Sequence, residues 1–164
     1  MSDHHILIAA GGTGGHLFPA FSLCEELKRR HIQSELVTDV RADQYGIDFP
    51  GRAVHQVPSA TVEGKAPVAG LKLRATLVRG TLKARRMIRE TGPSGAVGFG
   101  GYPTVPPLLA ARLAGVPFVI HDANAVMGRA NRLLARFAST IALSFERTKH
   151  VQAAYRDKTR VVGL

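Results

Sequence analysis

Gly11-Gly12-Thr13-Gly14-Gly15-His16 is the part of this chain best suited to chemistry. An apolar run, Ile6-Leu7-Ile8-Ala9-Ala10, precedes it and a helical pattern opens near Pro19, so the segment reads as strand, glycine loop and helix. Glycines let a backbone come close to a ligand, and the first N–H groups of the following helix point at that ligand with the positive end of the helix dipole behind them. The guest that suits such a loop is a phosphate or diphosphate. Two familiar phosphate loops fit poorly. A P-loop ends in Gly-Lys-Ser/Thr, whereas Gly15 is followed by His16 and Leu17. A dinucleotide fingerprint starting at Gly12 and Gly14 would put its third glycine at Leu17, losing the close helix-to-strand packing that this glycine provides. Asp39 follows a second strand-like run, so a nucleotide-binding Rossmann-like module, a nicotinamide enzyme among them, stays open as an alternative.

The elements that must hold this loop alternate along the chain. Candidate strands are Ile6–Ala9, Leu36–Thr38, Ala53–Val57, Gly95–Val97, Phe118–His121, Thr140–Leu143 and Arg160–Val162; candidate helices are Pro19–Arg30, Leu71–Arg89, Pro106–Leu113, Ala130–Phe137 and Thr148–Ala153. That rhythm implies βαβ units, hence an α/β fold with a Rossmann-like parallel sheet and helices on both faces. Gly115 followed by Pro117 fits a left-handed cap and a stop after the third helix. A second glycine loop, Gly98–Gly101, also follows a strand, so both loops are expected at the carboxyl edge of the sheet, where open parallel sheets bind ligands. The last residues, Val161-Val162-Gly163-Leu164, read as a strand entering a loop, which suggests a piece of a longer chain.

At 164 residues with 45% hydrophobic content, one domain with a real core is expected. The single cysteine, Cys24, lies in the apolar pattern of the first helix; it excludes an internal disulfide and reads as a buried structural thiol, pointing to a reducing compartment. No run approaches the roughly 18 apolar residues of a spanning helix, and the start, Met1-Ser2-Asp3-His4-His5, lacks the layout of a signal peptide. His4-His5 has no further ligand at a useful spacing, so no metal site is expected. The formal charge of +10 favours an anionic partner: nucleic acid, a phosphorylated substrate or an anionic membrane surface. Between Gly64 and Arg89 lie Lys65, Lys72, Arg74, Arg79, Lys83, Arg85, Arg86 and Arg89 with no acid among them, interleaved with Leu71, Leu73, Leu77, Val78, Leu82, Met87 and Ile88. The pattern is a basic helix with apolar stripes. Electrostatically it would suffice for a nucleic-acid-binding module, but no recognition motif or aromatic-rich basic surface accompanies it, and nucleic acid is not the expected partner.

Taken in order, Gly11–His16, Gly98-Phe99-Gly100-Gly101-Tyr102, His121-Asp122-Ala123-Asn124 and Asn131-Arg132-Leu133-Leu134 resemble the MurG family of peptidoglycan glycosyltransferases along almost the whole chain. The resemblance implies transfer of N-acetylglucosamine from UDP-N-acetylglucosamine to the lipid-linked muramoyl-pentapeptide diphosphate, lipid I, to form lipid II. It also implies a GT-B enzyme of two Rossmann-like domains with no metal or other cofactor. Residues 1–164 would be its N-terminal, acceptor-binding domain. The C-terminal domain, which would hold most of the nucleotide-sugar site, lies outside this chain, so the isolated piece is expected to be inactive.

In that setting Gly11, Gly12, Thr13, Gly14 and Gly15 would hold the acceptor diphosphate. His16 would take the proton of the attacking sugar hydroxyl, a task its near-neutral imidazole suits, although a local capping role fits equally. Gly100 and Gly101 would add donors to the anion site, and Tyr102 would stack on a sugar or hold a phosphate oxygen, unless it only covers the core. The family's His-Glu-x-Asn appears here with Asp122, one methylene shorter, in the catalytic carboxylate's place. Asn124 and Asn131 are candidate polar contacts to the acceptor, Asn131 being equally suited to a helix start. His121 reads as a core histidine. The basic helix would face the anionic inner membrane surface through Lys65, Leu71, Lys72, Arg74, Val78, Arg79, Leu82, Lys83 and Arg86, peripherally and on the cytoplasmic side.

Overall fold

Seven parallel strands form one sheet, and the reason lies in their residues. β1 (His5–Ala9) and β2 (Gln33–Thr38) are buried almost throughout, as strands covered on both faces must be. β3 (Ala53–Gln56), β4 (Gly95–Gly98), β5 (Phe118–Asp122), β6 (Thr140–Leu143) and β7 (Thr159–Val161) complete the order β3-β2-β1-β4-β5-β6-β7. The computed structural model describes residues 4–11, 13–39, 49–59 and 67–163, with the side chains of 67–69, 71 and 72 outside that description. Gly12 and Lys65 therefore lie outside the described residues, as do the side chains of Leu71 and Lys72.

Strand order reverses at β1, which pairs with β2 on one side and β4 on the other. Ala9 stands opposite both Val37 and Gly98, so the loops leaving β1 and β4 start level and side by side. β5 follows next to β4, bringing a third loop to the same edge. This is the switch-point crevice of a doubly wound sheet.

α1 (Gly14–Arg29) packs Leu17, Ala20 and Cys24 with Ile8, Ala10, Leu36 and Phe99 on one face. On the other face α2 (Pro67–Thr91), α3 (Val105–Leu113) and α4 (Arg129–Leu134) enclose a larger core around Leu7, Val37, Leu108, Phe118, Ile120 and Ile141. Cys24 is fully buried, 2.9 Å from the Ser34 hydroxyl.

Several bounds differ from the sequence reading: β2 begins at Gln33, α2 begins at Pro67 and α4 ends at Leu134. α1 begins at Gly14, five residues before Pro19, because extended Thr13 caps it and accepts from the His16 and Leu17 amides. Pro19 is carried inside the helix. No helix forms over Thr148–Ala153. There the Lys149 backbone is taken by long-range bonds to the Ala125 carbonyl and the Met127 amide, and His150 turns left-handed at φ 66°. A 3₁₀ turn follows over Ala153–Lys158, and Lys158 Nζ donates to the Ala135 and Ala138 carbonyls at the end of α4. The expected stop after α3 is present: Gly115 has φ 76° and the Val116 amide donates back to Ala111.

Gly80 in α2 shows how closely the layers meet. A Cβ there would lie 2.3 Å from the Pro58 carbonyl oxygen and 3.1 Å from Pro106. Gly→Ala inside a helix ordinarily gains about 1 kcal/mol. Here the clash is with backbone, so Gly80→Ala is expected to destabilise by about 1–3 kcal/mol in denaturant titration; unchanged or raised stability would contradict this packing.

Candidate active site at the carboxyl edge

Three loops meet at this edge, and His16 sits where the first two touch. The imidazole is half-buried, and its Nδ1 lies 3.0 Å from Thr13 Oγ1. α1 has no acidic residue in its first turn to compete with an anion for the N–H groups that open a helix. Gly11 is buried: a Cβ on it would lie 2.8 Å from Thr38 Oγ1 and 3.2 Å from Pro103. Thr13 and Gly15 are exposed and Gly14 half-buried.

The second loop follows β4 directly, with the Phe99 amide donating to the Ala9 carbonyl at 2.9 Å. Gly100 and Gly101 have φ of 92° and 77°. A 3₁₀ turn over Tyr102–Thr104 then leads into α3, whose first turn carries Pro106 and Pro107, residues suited to a position where no N–H is needed. Tyr102 is half-buried; Thr104 is fully buried and its hydroxyl donates to the Gly101 carbonyl at 2.8 Å.

The third loop holds Asp122 and Asn131, both expected at the site, as buried and internally bonded groups. Asp122 is 2% exposed, and its carboxylate already accepts four hydrogen bonds. Oδ1 takes the Asn124 amide at 3.0 Å and Asn124 Nδ2 at 3.1 Å; Oδ2 takes the Gly128 amide at 2.8 Å and Asn131 Nδ2 at 3.0 Å. The lone pairs of Asp122 are thus engaged by its own loop and by Asn131 of α4, and the carboxylate is turned into the protein. Asn131, expected to touch the acceptor, is 1% exposed, and its Nδ2 is spent on the His121 carbonyl and Asp122. It braces the loop from beneath. Asn124 does reach the surface, with its amide directed by Asp122.

Sequence reasoning missed Thr38, whose buried hydroxyl underlies Gly11, and Ser144, whose Oγ lies 3.3 Å from His121 Nε2. A polar β-branched residue closing β2 directly after Leu36 and Val37 was the available signal for Thr38. His121 is half-buried and packs against the Phe99 ring with centroids 5.3 Å apart.

The basic helix presents Arg74, Val78, Arg79, Leu82, Lys83 and Arg86 to solvent, with Arg86 paired to Glu90. Beside it a groove of about 700 Å³ runs between α2 and α3, lined by Leu77, Val78, Leu82, Leu109, Leu113 and Phe137. Arg136 stacks over the Phe137 ring at 4.7 Å. Phe137 and Leu113 join this surface only through the fold. No helix among the described residues is long and apolar enough to cross a membrane.

Burial pushes His16 below the ordinary imidazole value, against the opposing pull of the Asp122 charge and the Gly11 carbonyl; burial does the same to His121, against the Gly163 carbonyl and Asp122. Both rings are thereby favoured neutral in the fold. Unfolded imidazoles take up protons near pH 6.5 while these resist, so their contribution to stability is complete above that pH and is lost as pH falls through it toward the lowered values. Melting temperature is expected to drop by several degrees between pH 7 and pH 5. A His16→Gln/His121→Gln variant should lose less over the same interval, and an identical drop would refute the assignment.

The glycosyltransferase family 28 N-terminal domain matches residues 6–143. A UDP-N-acetylglucosamine--N-acetylmuramyl-(pentapeptide) pyrophosphoryl-undecaprenol N-acetylglucosamine transferase of Allorhizobium ampelinum is 55% identical over 99% of this chain, and the protein of that name from Nitrobacter hamburgensis is 50% identical over 96% of it. The chain spans 43% of the length of each. The crystal structure of Acinetobacter baumannii MurG superposes over 96% of this chain and 45% of its own with a TM-score of 0.81 at 28% identity. The seven-stranded doubly wound sheet, the two glycine loops at its switch point and the match along their whole span agree: this chain belongs to glycosyltransferase family 28, as its N-terminal domain.

Proposed function

We propose that this chain is the acceptor-binding part of an N-acetylglucosaminyltransferase of peptidoglycan synthesis that converts lipid I to lipid II. The observation that carries the reading is the half-buried imidazole of His16, favoured neutral by burial, at the meeting point of two glycine loops and beside the N-terminus of α1. The acceptor diphosphate lies against Thr13, Gly14 and Gly15, where helix N–H groups and the dipole stabilise negative charge. In the tautomer that donates Nδ1–H to Thr13 Oγ1, Nε2 keeps its lone pair. It takes the proton as a muramoyl hydroxyl oxygen bonds to the anomeric carbon of UDP-N-acetylglucosamine, whose bond to the diphosphate breaks and leaves UDP. Asn124 and Tyr102 border the acceptor, and Asp122 and Asn131 fix the loop carrying Asn124. The donor is held mainly by the part of the longer protein outside this chain.

The acceptor is membrane-linked, and the exposed face of α2 suits docking at the cytoplasmic side of the inner membrane. Each Lys or Arg near an anionic surface contributes about 1 kcal/mol within a Debye length. Val78, Leu82, Leu113 and Phe137 offer apolar side chains to the interface, in place of a tryptophan anchor that the chain lacks.

Binding of this chain to anionic vesicles is expected to weaken with salt and to tighten when lipid I is present. Salt-sensitive binding with no gain from lipid I would leave only a basic surface, and binding to neither would refute the reading. For catalysis, the chain joined to the remaining length of the Allorhizobium ampelinum relative is expected to turn over lipid I. His16→Ala should lower kcat by about 10²–10⁴-fold while keeping the lipid I binding gain; an unchanged kcat would remove His16 as the base.

A further inference from the structure

Gly100 and Gly101 run alongside the His16 ring with no side chain between them. A Cβ at Gly100 would lie 3.3 Å from both Cδ2 and Nε2 of His16 and 3.4 Å from Asn131 Nδ2. A Cβ at Gly101 would lie 3.3 Å from His16 Nδ1 and 2.8 Å from the Gly11 carbonyl oxygen. The pair therefore spans the imidazole from one nitrogen to the other. A left-handed backbone alone does not account for this. Gly92 and Gly115 also have positive φ, 62° and 76°, yet a Cβ on either would meet nothing within 4 Å. Those are turn glycines, whereas at Gly100 and Gly101 both the dihedral and the space select glycine.

The backbone carrying the pair is fixed at both ends. On one side the Phe99 amide is bonded to β1 through the Ala9 carbonyl; on the other, the Gly101 carbonyl accepts from both the amide and the hydroxyl of buried Thr104. A rigid, side-chain-free surface pressed along a ring excludes water from that side and restricts the rotamers the ring can take.

We propose that Gly100 and Gly101 are positioning residues for His16: the second glycine loop is the seat that orients the ring and keeps solvent from one side of it. The inference rests on the reading of His16 as the base, and gives this loop a task other than anion binding.

The seat is tested by NMR titration of His16 in this chain, its signal identified by its loss in His16→Gln. In Gly100→Ala the ring must give way to the new methyl group by a few tenths of an ångström, loosening its seat to solvent, and the titration midpoint is expected to rise by about half a pH unit or more toward the ordinary imidazole value. Gly115→Ala imposes the same backbone strain far from the ring and should leave the midpoint unchanged. An unmoved midpoint in folded Gly100→Ala, or an equal shift in Gly115→Ala, overturns the proposal. Melting temperatures give a second reading should Gly100→Ala fold poorly. The loss caused by Gly100→Ala is expected to be several degrees smaller when His16 is already alanine, because the clashing ring is gone. Equal losses in both backgrounds, or failure to fold with and without His16, overturn it equally. Full turnover by the His16→Ala fusion would instead strike the base reading alone, leaving the NMR and melting results to judge the seat.

Discussion

The contact between the two glycine loops is the constraint from which the site follows. Between Gly101 and the Gly11 carbonyl there is no room for a Cβ, so the loops after β1 and β4 meet backbone to backbone. That closeness is available because β1 and β4 are neighbours at the point where strand order reverses, level at Ala9 and Gly98. A side chain on Gly101 would have to push the loops apart. The same approach buries Thr38 and Pro103 beneath Gly11, so the floor of the site belongs to the core.

A second organising group is Asp122. A buried carboxylate is costly unless its charge is met by donors, and four donors meet this one, two of them main-chain amides of its own loop. The charge thereby orders the stretch from Asn124 to Gly128, and Asn131 ties that stretch to the end of β5 through the His121 carbonyl. A side chain one methylene shorter than the family's usual glutamate fits this work, since the donors come from residues two and six positions along the chain. Its field also reaches His16, opposing the effect of burial there, so loop order and imidazole basicity share one source.

The two long faces of the molecule divide the remaining work. α1 aims its N-terminus at the crevice, while α2 turns cations and apolar side chains outward beside the groove it shares with α3. α2 can do this because its opposite side, through Ala84, Met87 and Ile88, is committed to the core. Under the proposed function, the sheet edge would take the diphosphate and the flanking helix would face the lipid part of one substrate.

The sequence by itself determined the alternation of strands and helices, the placing of both glycine loops after strands, the stop at Gly115 and the buried thiol of Cys24. Each depends on local periodicity or backbone sterics, which a few neighbouring residues decide. The ordered motifs likewise carried the family resemblance, although the roles of single residues within them were less legible. Tertiary structure alone decided that Asn131 faces inward to Asp122, that Gly100 and Gly101 lie against His16, that Phe137 and Leu113 complete the groove, and that Lys149 bonds across the chain where a helix was expected. A buried polar group takes its partner from whichever residue the fold brings near. Those residues lie 9 to 10 positions from Asn131 and 22 to 24 from Lys149 in sequence, beyond any local pattern.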